Sequence, residues 1–284
     1  MIITNKYNLP ESFVSFCKDN SKPKENTIRV TELISPPRIR ALRKENWDKI
    51  EEDVADKIWA LLGTSVHYIL EEHTNKDDFS EEKLELQIGK WTLKGRPDLL
   101  SKEGTLSDYK VTSVWSYIFG DKPEWEEQLN VYAYMYSQFP KKFPKVSNLE
   151  IIAIFRDWSL RDSLKNTDYP QIPCARINIP LWDIAIAEEF IHYRLSCHSA
   201  SEISLPLCTS KERWEKKTTY AVKKQGMERA LRVFDTSDEA HTFLKAYPDK
   251  KVSLVSEIRK GESVRCKSYC NCLPFCEQGQ SYVV

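Results

Sequence analysis

The chain reads as an α/β protein with an added cysteine-rich lobe, and three observations predict it. Residues 83–110 alternate polar and apolar side chains between turn signals, as strands do. The segments on either side, 54–70 and 124–138, repeat their apolar residues at helical period. Four of the eight cysteines fall between positions 266 and 276.

In chain order, residues 1–30 are polar and mixed, an expected arm on a core spanning 31–200. A helix from 53 to about 73 follows from Val54, Ile58, Leu61, Leu62, Val66, Ile69 and Leu70, whose spacing makes one apolar face. Gly63, His67 and Glu71 stand four apart in one row of it, where the glycine would let another group approach the backbone. Residues 83–88 alternate, Gly89-Lys90 turns and 91–93 returns; a second turn at 101–104 leads into 105–110, so a meander of three or four strands is predicted. A second helix covers 124–138, with Gln128 and Tyr132 sharing a face. Residues 149–155 form the most apolar strand, expected in the middle of the sheet, and 181 to about 196 is another helix. Residues 201–284 form the cysteine-rich region, with a helix over 238–247.

Two carboxylates and a lysine are the chemically informative residues. Gly95-Arg96-Pro97-Asp98 closes one strand and Ser107-Asp108-Tyr109-Lys110 closes the next. Side chains two apart on a strand share a face, so Asp108 and Lys110 point together with Tyr109 opposite. Paired acidic oxygens suit a hard divalent cation that keeps several waters, and a nearby ammonium can orient an attacking water or offset charge developing on a phosphate. The pattern points to phosphodiester chemistry. Singly, each piece has a plainer reading: Asp-x-Lys is common in a chain that is 30% charged, and a helical histidine or Gln/Tyr pair is ordinarily structural.

Their order distinguishes them. A helix with Gly63-x-x-x-His67, then Gly95-x-x-Asp98, then Asp108-x-Lys110, then a helix with Gln128-x-x-x-Tyr132 resembles the RecB-like branch of the PD-(D/E)XK nuclease superfamily. The resemblance implies a restriction-endonuclease-like core, a central mixed β-sheet flanked by helices. It also implies that His67, Asp98 and Asp108 hold Mg2+ or Mn2+ together with the Tyr109 carbonyl, that Lys110 serves the attacking water, and that Gln128 and Tyr132 position DNA at the scissile phosphate. Asp108 stands where many relatives carry Glu, and the family pattern allows both. Glu71 and Glu85 are possible extra carboxylates outside this ligand set. The implied activity is a divalent-metal-dependent deoxyribonuclease, an exonuclease acting on single-stranded or duplex DNA ends in phage DNA recombination or processing. A non-catalytic DNA-end-binding subunit of the same fold and a zinc-bearing structural adaptor are the rival readings.

The cysteines, at 17, 174, 197, 208, 266, 270, 272 and 276, make a separate case. A disulfide framework needs a secreted context, whereas Met1-Ile-Ile-Thr-Asn-Lys6 shows no apolar signal segment and the nuclease resemblance implies a cytoplasmic protein, so reduced thiols are expected. Crowded thiolates in that setting suit zinc or an iron-sulfur cluster. Cys266-x3-Cys270-x5-Cys276 resembles the C-terminal trio of iron-sulfur RecB-like nucleases, including the CRISPR-associated adaptation nucleases and phage-type exonucleases. On that resemblance Cys208 is the fourth ligand of a [4Fe-4S] cluster. Cys17 competes for that place, and a local thiolate set that includes Cys272 could hold structural Zn2+. Cys174 and Cys197 are expected to be small buried hydrophobes.

Net charge is zero, so no global field advertises a nucleic-acid partner and local asymmetry must. Residues 208–232 carry eight basic against three acidic residues, and there Arg213, Trp214, Lys216, Lys217 and Tyr220 combine charge with rings, as phosphate contact and base stacking require. Arg38 and Arg40, after Pro36-Pro37, are a second candidate DNA contact; a solvated face and an ordinary helix start are the plain alternatives. No apolar run approaches a membrane span, and the length leaves no room for a helicase motor beside the core. A soluble stand-alone subunit is expected, with homo-oligomerisation left open.

Overall fold

The computed structural model describes residues 1–18, 21–120, 122–249 and 252–283. The chain divides into two compact units, Met1–Leu205 and Pro206–Val284.

The first unit is built on a five-stranded mixed sheet in the order Cys174–Ile179, Asn148–Phe155, Thr105–Thr112, Leu99–Leu100, Phe79–Ser80. Its two longest strands, Thr105–Thr112 and Asn148–Phe155, run parallel with Lys110 opposite Ala153, and the other pairings are antiparallel. A parallel pair needs a crossover, and the helix Pro123–Ser137 lies in that connection. Residues Gln128 to Tyr136 of this helix are all buried, so it is a core helix rather than the amphipathic one its spacing suggested. Burying Leu129 and Met135 contributes roughly 1.5–3 kcal/mol each. The helix Ile184–Ala200 adds Ala187, Ile191 and Leu195 to the same core.

The expected single meander over 83–110 is split between two sheets. Leu84–Ile88 and Trp91–Gly95 form the anticipated hairpin, turning at Gly89 with φ +54°, and Thr27–Arg29 joins it from the segment expected to be a separate arm. After Gly95 the chain leaves this sheet, and at Leu99 it enters the larger one. Pro97 lies in the crossing, where its missing N–H leaves no ladder bond unmade. Asp98 thus sits in a junction between sheets, and its carbonyl accepts from the Glu81 N–H at 3.2 Å and the Ser80 hydroxyl at 3.1 Å.

The histidine helix runs Ile58–Glu72, preceded by a 3-10 turn at Val54–Lys57. None of its residues is buried, and Trp59, Tyr68 and Ile69 are exposed. The apolar stripe is therefore only partly used as core, which corrects the expectation of a packed amphipathic helix.

The second unit contains a three-stranded antiparallel sheet, ordered Ala230–Phe234, Thr219–Lys224, Leu254–Arg259. The helix Ser237–Ala246 begins on Thr236, whose hydroxyl accepts from the Glu239 N–H, and packs Phe243 on Phe234 with ring centroids 5.2 Å apart. The helix matches the sequence pattern; the sheet had no forecast.

Candidate active site

Asp108 and Lys110 project from one face of the strand Thr105–Thr112, and the core helix brings Gln128 to them. Lys110 Nζ lies 2.5 Å from Asp108 Oδ2 and donates to Gln128 Oε1 at 3.2 Å, while Gln128 Nε2 donates to Asp108 Oδ1 at 2.9 Å. The three side chains close a triangle that fixes the amine. Asp108 is 2% exposed, and burial pushes its carboxyl up to about 6 against the pull of the Lys110 ammonium. Tyr132, one turn after Gln128, is buried too; burial, then the charge of Asp108, raises its phenol, with hydrogen bonding to Gln128 opposing. Gly95 lets this helix come close: a Cβ there would stand 2.9 Å from Met135 Sδ and 3.0 Å from Tyr132 Cε1.

Asp98 holds the other half of the site. Its Oδ2 accepts from the Tyr109 N–H at 2.6 Å and its Oδ1 lies 3.1 Å from His67 Nδ1. In an extended strand the N–H and C=O of one residue leave on the same side, so the Tyr109 carbonyl opens toward Asp98 as well. The Tyr109 ring stands edge-on to His67 at 6.0 Å. Hydrogen bonding to Asp98, then to Glu81, raises the His67 imidazole to about 10 against the cost of its burial. It is therefore cationic as placed, and a metal ion binding through it would displace that proton. His67, Asp98, Asp108, Tyr109, Lys110, Gln128 and Tyr132 thus converge from two helices, a strand and a junction.

Glu81 was not foreseen. Its Oε1 lies 3.9 Å from His67 Nδ1, and the ligand atoms of His67, Glu81 and Asp98 lie within 4.8 Å of one another, a group able to hold a metal ion. Glu71 pairs with Arg96 and Glu85 with Lys94. At Gly63, four residues before His67, a Cβ would find nothing within 4 Å among the described residues.

Three expected DNA contacts are corrected. Arg38 and Arg40 are 7% and 5% exposed; Arg40 donates to the carbonyls of Lys24 and Thr27 and lies over the Trp91 ring, and Arg38 Nη1 reaches the Leu205 carbonyl at 3.5 Å. Arg213 is buried, donating to the Cys208 carbonyl and the Ser263 hydroxyl and pairing with Glu215. Guanidiniums used this way tie chain segments together and are closed to phosphate. Lys216 and Lys217 are exposed, Trp214 is 39% exposed beneath the Arg265 guanidinium, and Tyr220 is half-buried opposite Phe234.

The cysteine-rich end belongs to the second unit. Burial raises the Cys266 thiol, and the neighbouring Cys270 and Cys276 thiols raise it further. The Gly279 N–H donates to Cys276 Sγ at 3.3 Å. The Gln278 side chain clasps the Cys208 backbone, accepting from its N–H at 2.8 Å and donating to its carbonyl at 2.9 Å. Cys272 is fully buried. Cys17 is buried in the first unit, whereas Cys174 and Cys197 are only half-buried there.

No curated protein matches the chain. Among solved structures it is similar to the crystal structure of SSO0001, at 20% identity over 67% of this chain and 84% of that one, with a TM-score of 0.44. It is also similar to an alkaline exonuclease from Laribacter hongkongensis, at 14% identity over 69% of this chain and 96% of the other, TM-score 0.35. The same exonuclease in complex with dAMP aligns at 16% identity over 63% of this chain and 90% of the other, TM-score 0.34. The family model of the PD-(D/E)XK nuclease superfamily matches residues 25–277, almost the whole chain, and this chain belongs to that superfamily.

Proposed function

We propose that the protein is a divalent-metal-dependent deoxyribonuclease, an exonuclease on DNA ends. The observation that carries this is the pairing of Lys110 with Asp108 and Gln128 beside the His67–Asp98 pair. Asp98, Asp108, His67 and the Tyr109 carbonyl offer the hard oxygen and imidazole donors that Mg2+ or Mn2+ takes, and a bound ion would supply Lewis acidity at the phosphate. Lys110, held by Asp108 and Gln128, keeps its ammonium directed at an attacking water or at the charge growing on phosphate oxygens. Tyr132 stays a neutral hydrogen-bond donor, which suits it to orient the scissile phosphate with Gln128. Trp214, Lys216, Lys217 and Tyr220 are the proposed secondary DNA contacts. By the resemblance, the setting is phage DNA recombination or processing in a host cytoplasm.

The second unit offers soft donors of the kind a cluster takes. Cys208, Cys266, Cys270 and Cys276 are soft ligands, and the Gly279 N–H already donates to Cys276 Sγ. A [4Fe-4S] cluster is the proposed occupant, in a structural role. A colourless preparation rich in zinc after anaerobic purification would replace that assignment.

The test is digestion of linear DNA with Mn2+ by wild type and Lys110→Ala. Loss of about 10²–10⁴-fold in rate is expected for a group that assists proton transfer or charge neutralisation; equal rates remove the assignment. Labels at the 5′ or the 3′ end separate exonucleolytic from internal cutting.

A further inference from the structure

Glu81 is held in a backbone conformation it would not choose. Its φ is +52°, the left-handed region that a residue with a Cβ enters at a cost on the order of 1 kcal/mol. Such strain persists only where the surroundings impose it. They do so here: the Glu81 N–H donates to the Asp98 carbonyl at 3.2 Å, and Arg96 pairs with Glu81 Oε2 at 2.7 Å. The outcome is a carboxylate turned inward, its side chain 11% exposed, with Oε1 facing His67 Nδ1 at 3.9 Å. A partner for Arg96 alone would not require this, because Arg96 is half-exposed and Glu71 already lies 3.4 Å from its Nη2.

The carboxylate is also where the ligand set needs one. Both oxygens of Asp108 are engaged, one by Lys110 and one by Gln128, and Asp98 offers only Oδ1 toward His67 because Oδ2 holds the Tyr109 N–H. Resting on the metal-dependent reading above, we infer that Glu81 is an additional ligand of the catalytic divalent cation, binding through Oε1 beside His67 and Asp98. The backbone strain at position 81 then exchanges stability for a third carboxylate in the site, and Arg96 orients that carboxylate through its second oxygen.

Mn2+ binding by calorimetry, together with the Mn2+-induced rise in melting temperature, tests this on the full chain without reference to activity. Glu81→Gln should bind Mn2+ about tenfold or more weakly, as carboxylate losses around metal sites do. Glu81→Gly, which takes a positive φ without strain, should melt in EDTA at or above the wild-type temperature and yet lose the same Mn2+ response. Asp98→Asn is the reference and should lose Mn2+ binding. If both Glu81 variants bind Mn2+ within twofold of wild type while Asp98→Asn does not, Glu81 is not a ligand and the metal site stands without it. If Asp98→Asn also binds as wild type does, the metal-site reading itself falls, and this inference with it.

Discussion

The two units hold themselves together by different means. Met1–Leu205 has a continuous core in which the Pro123–Ser137 helix, the Thr105–Thr112 and Asn148–Phe155 strands and the Ile184–Ala200 helix bury Leu129, Met135, Ile151 and Ile191 completely. In Pro206–Val284 the buried apolar side chains among the described residues are Ala221, Val222, Ala240, Cys272 and Cys276. Two alanines, a valine and two thiols bury far too little surface to offset the ordering of that much chain, and units of this size usually need a staple. The difference teaches where each kind of chemistry is affordable: a strained, charge-filled site can sit on the first unit, whereas the second has little apolar core and the proposed cluster would serve as its framework.

Breaking that framework should give the largest effect. Cys276→Ser removes one of the proposed cluster ligands and the acceptor of the Gly279 N–H. Amide exchange measured by mass spectrometry should show Leu254–Arg259 and Thr219–Lys224 losing protection while Asn148–Phe155 keeps its own. Unchanged protection in the second unit would mean that its thin apolar core suffices and that the thiols are incidental.

Acid probes the first unit instead. His198 is fully buried on the Ile184–Ala200 helix, its Nε2–H donating to the Leu33 carbonyl at 3.0 Å, and burial lowers its imidazole from 6.5 to about 4. The folded value lies below the unfolded one, so below pH 6.5 the unfolded chain gains a proton that the folded chain refuses. The stability is fully present above 6.5 and drains away as pH falls toward 4, by on the order of 3 kcal/mol in all. Urea midpoints across that range should fall for wild type and fall less for His198→Gln. An identical slope in the variant would assign the acid sensitivity to other groups, such as the buried Asp108.

A smaller effect is expected where the helix meets the strand. Gly95→Ala places a methyl against Met135 and Tyr132; Met135 is flexible, but it is buried and Tyr132 nearly so. Overpacking of this kind costs about 1–3 kcal/mol. Because Tyr132 must shift to relieve it, cleavage at a temperature where the variant is still folded should fall as well. Full activity with a lowered Tm would separate packing from positioning at this glycine.

Much of the first unit was legible because its signals are local. The 83–88 and 91–93 strands, the Gly89 turn, the 105–110 strand and the two motif helices follow from residues a few positions apart, and Asp108 and Lys110 share a face by strand geometry alone. What failed depends on contacts distant in sequence. Nothing near Glu81 announces a left-handed residue, since the Asp98 carbonyl and Arg96 that hold it lie fifteen or more positions away. Arg38 and Arg40 look like a basic patch until the carbonyls of Leu205, Lys24 and Thr27 claim them. The Thr219–Lys224 strand reads as a basic, ring-bearing stretch because its sheet is half-exposed and its periodicity is diluted by lysines.

The smallest change sharpens the contrast between guanidiniums that build the second unit and ammoniums that only decorate it. Lys217 is exposed on the stretch that also carries the buried Arg213. Lys217→Ala should leave the urea midpoint within about 0.5 kcal/mol of wild type, as surface changes do. If the stretch contacts DNA, the variant should bind oligonucleotides a few-fold more weakly, and the slope of log affinity against log salt should flatten by about one unit. Arg213→Ala, in contrast, strips donors from the Cys208 carbonyl and Ser263 and should lower the midpoint itself. A salt slope unchanged by Lys217→Ala would take that lysine out of the DNA contact and leave the charge excess of the segment as a solvated face.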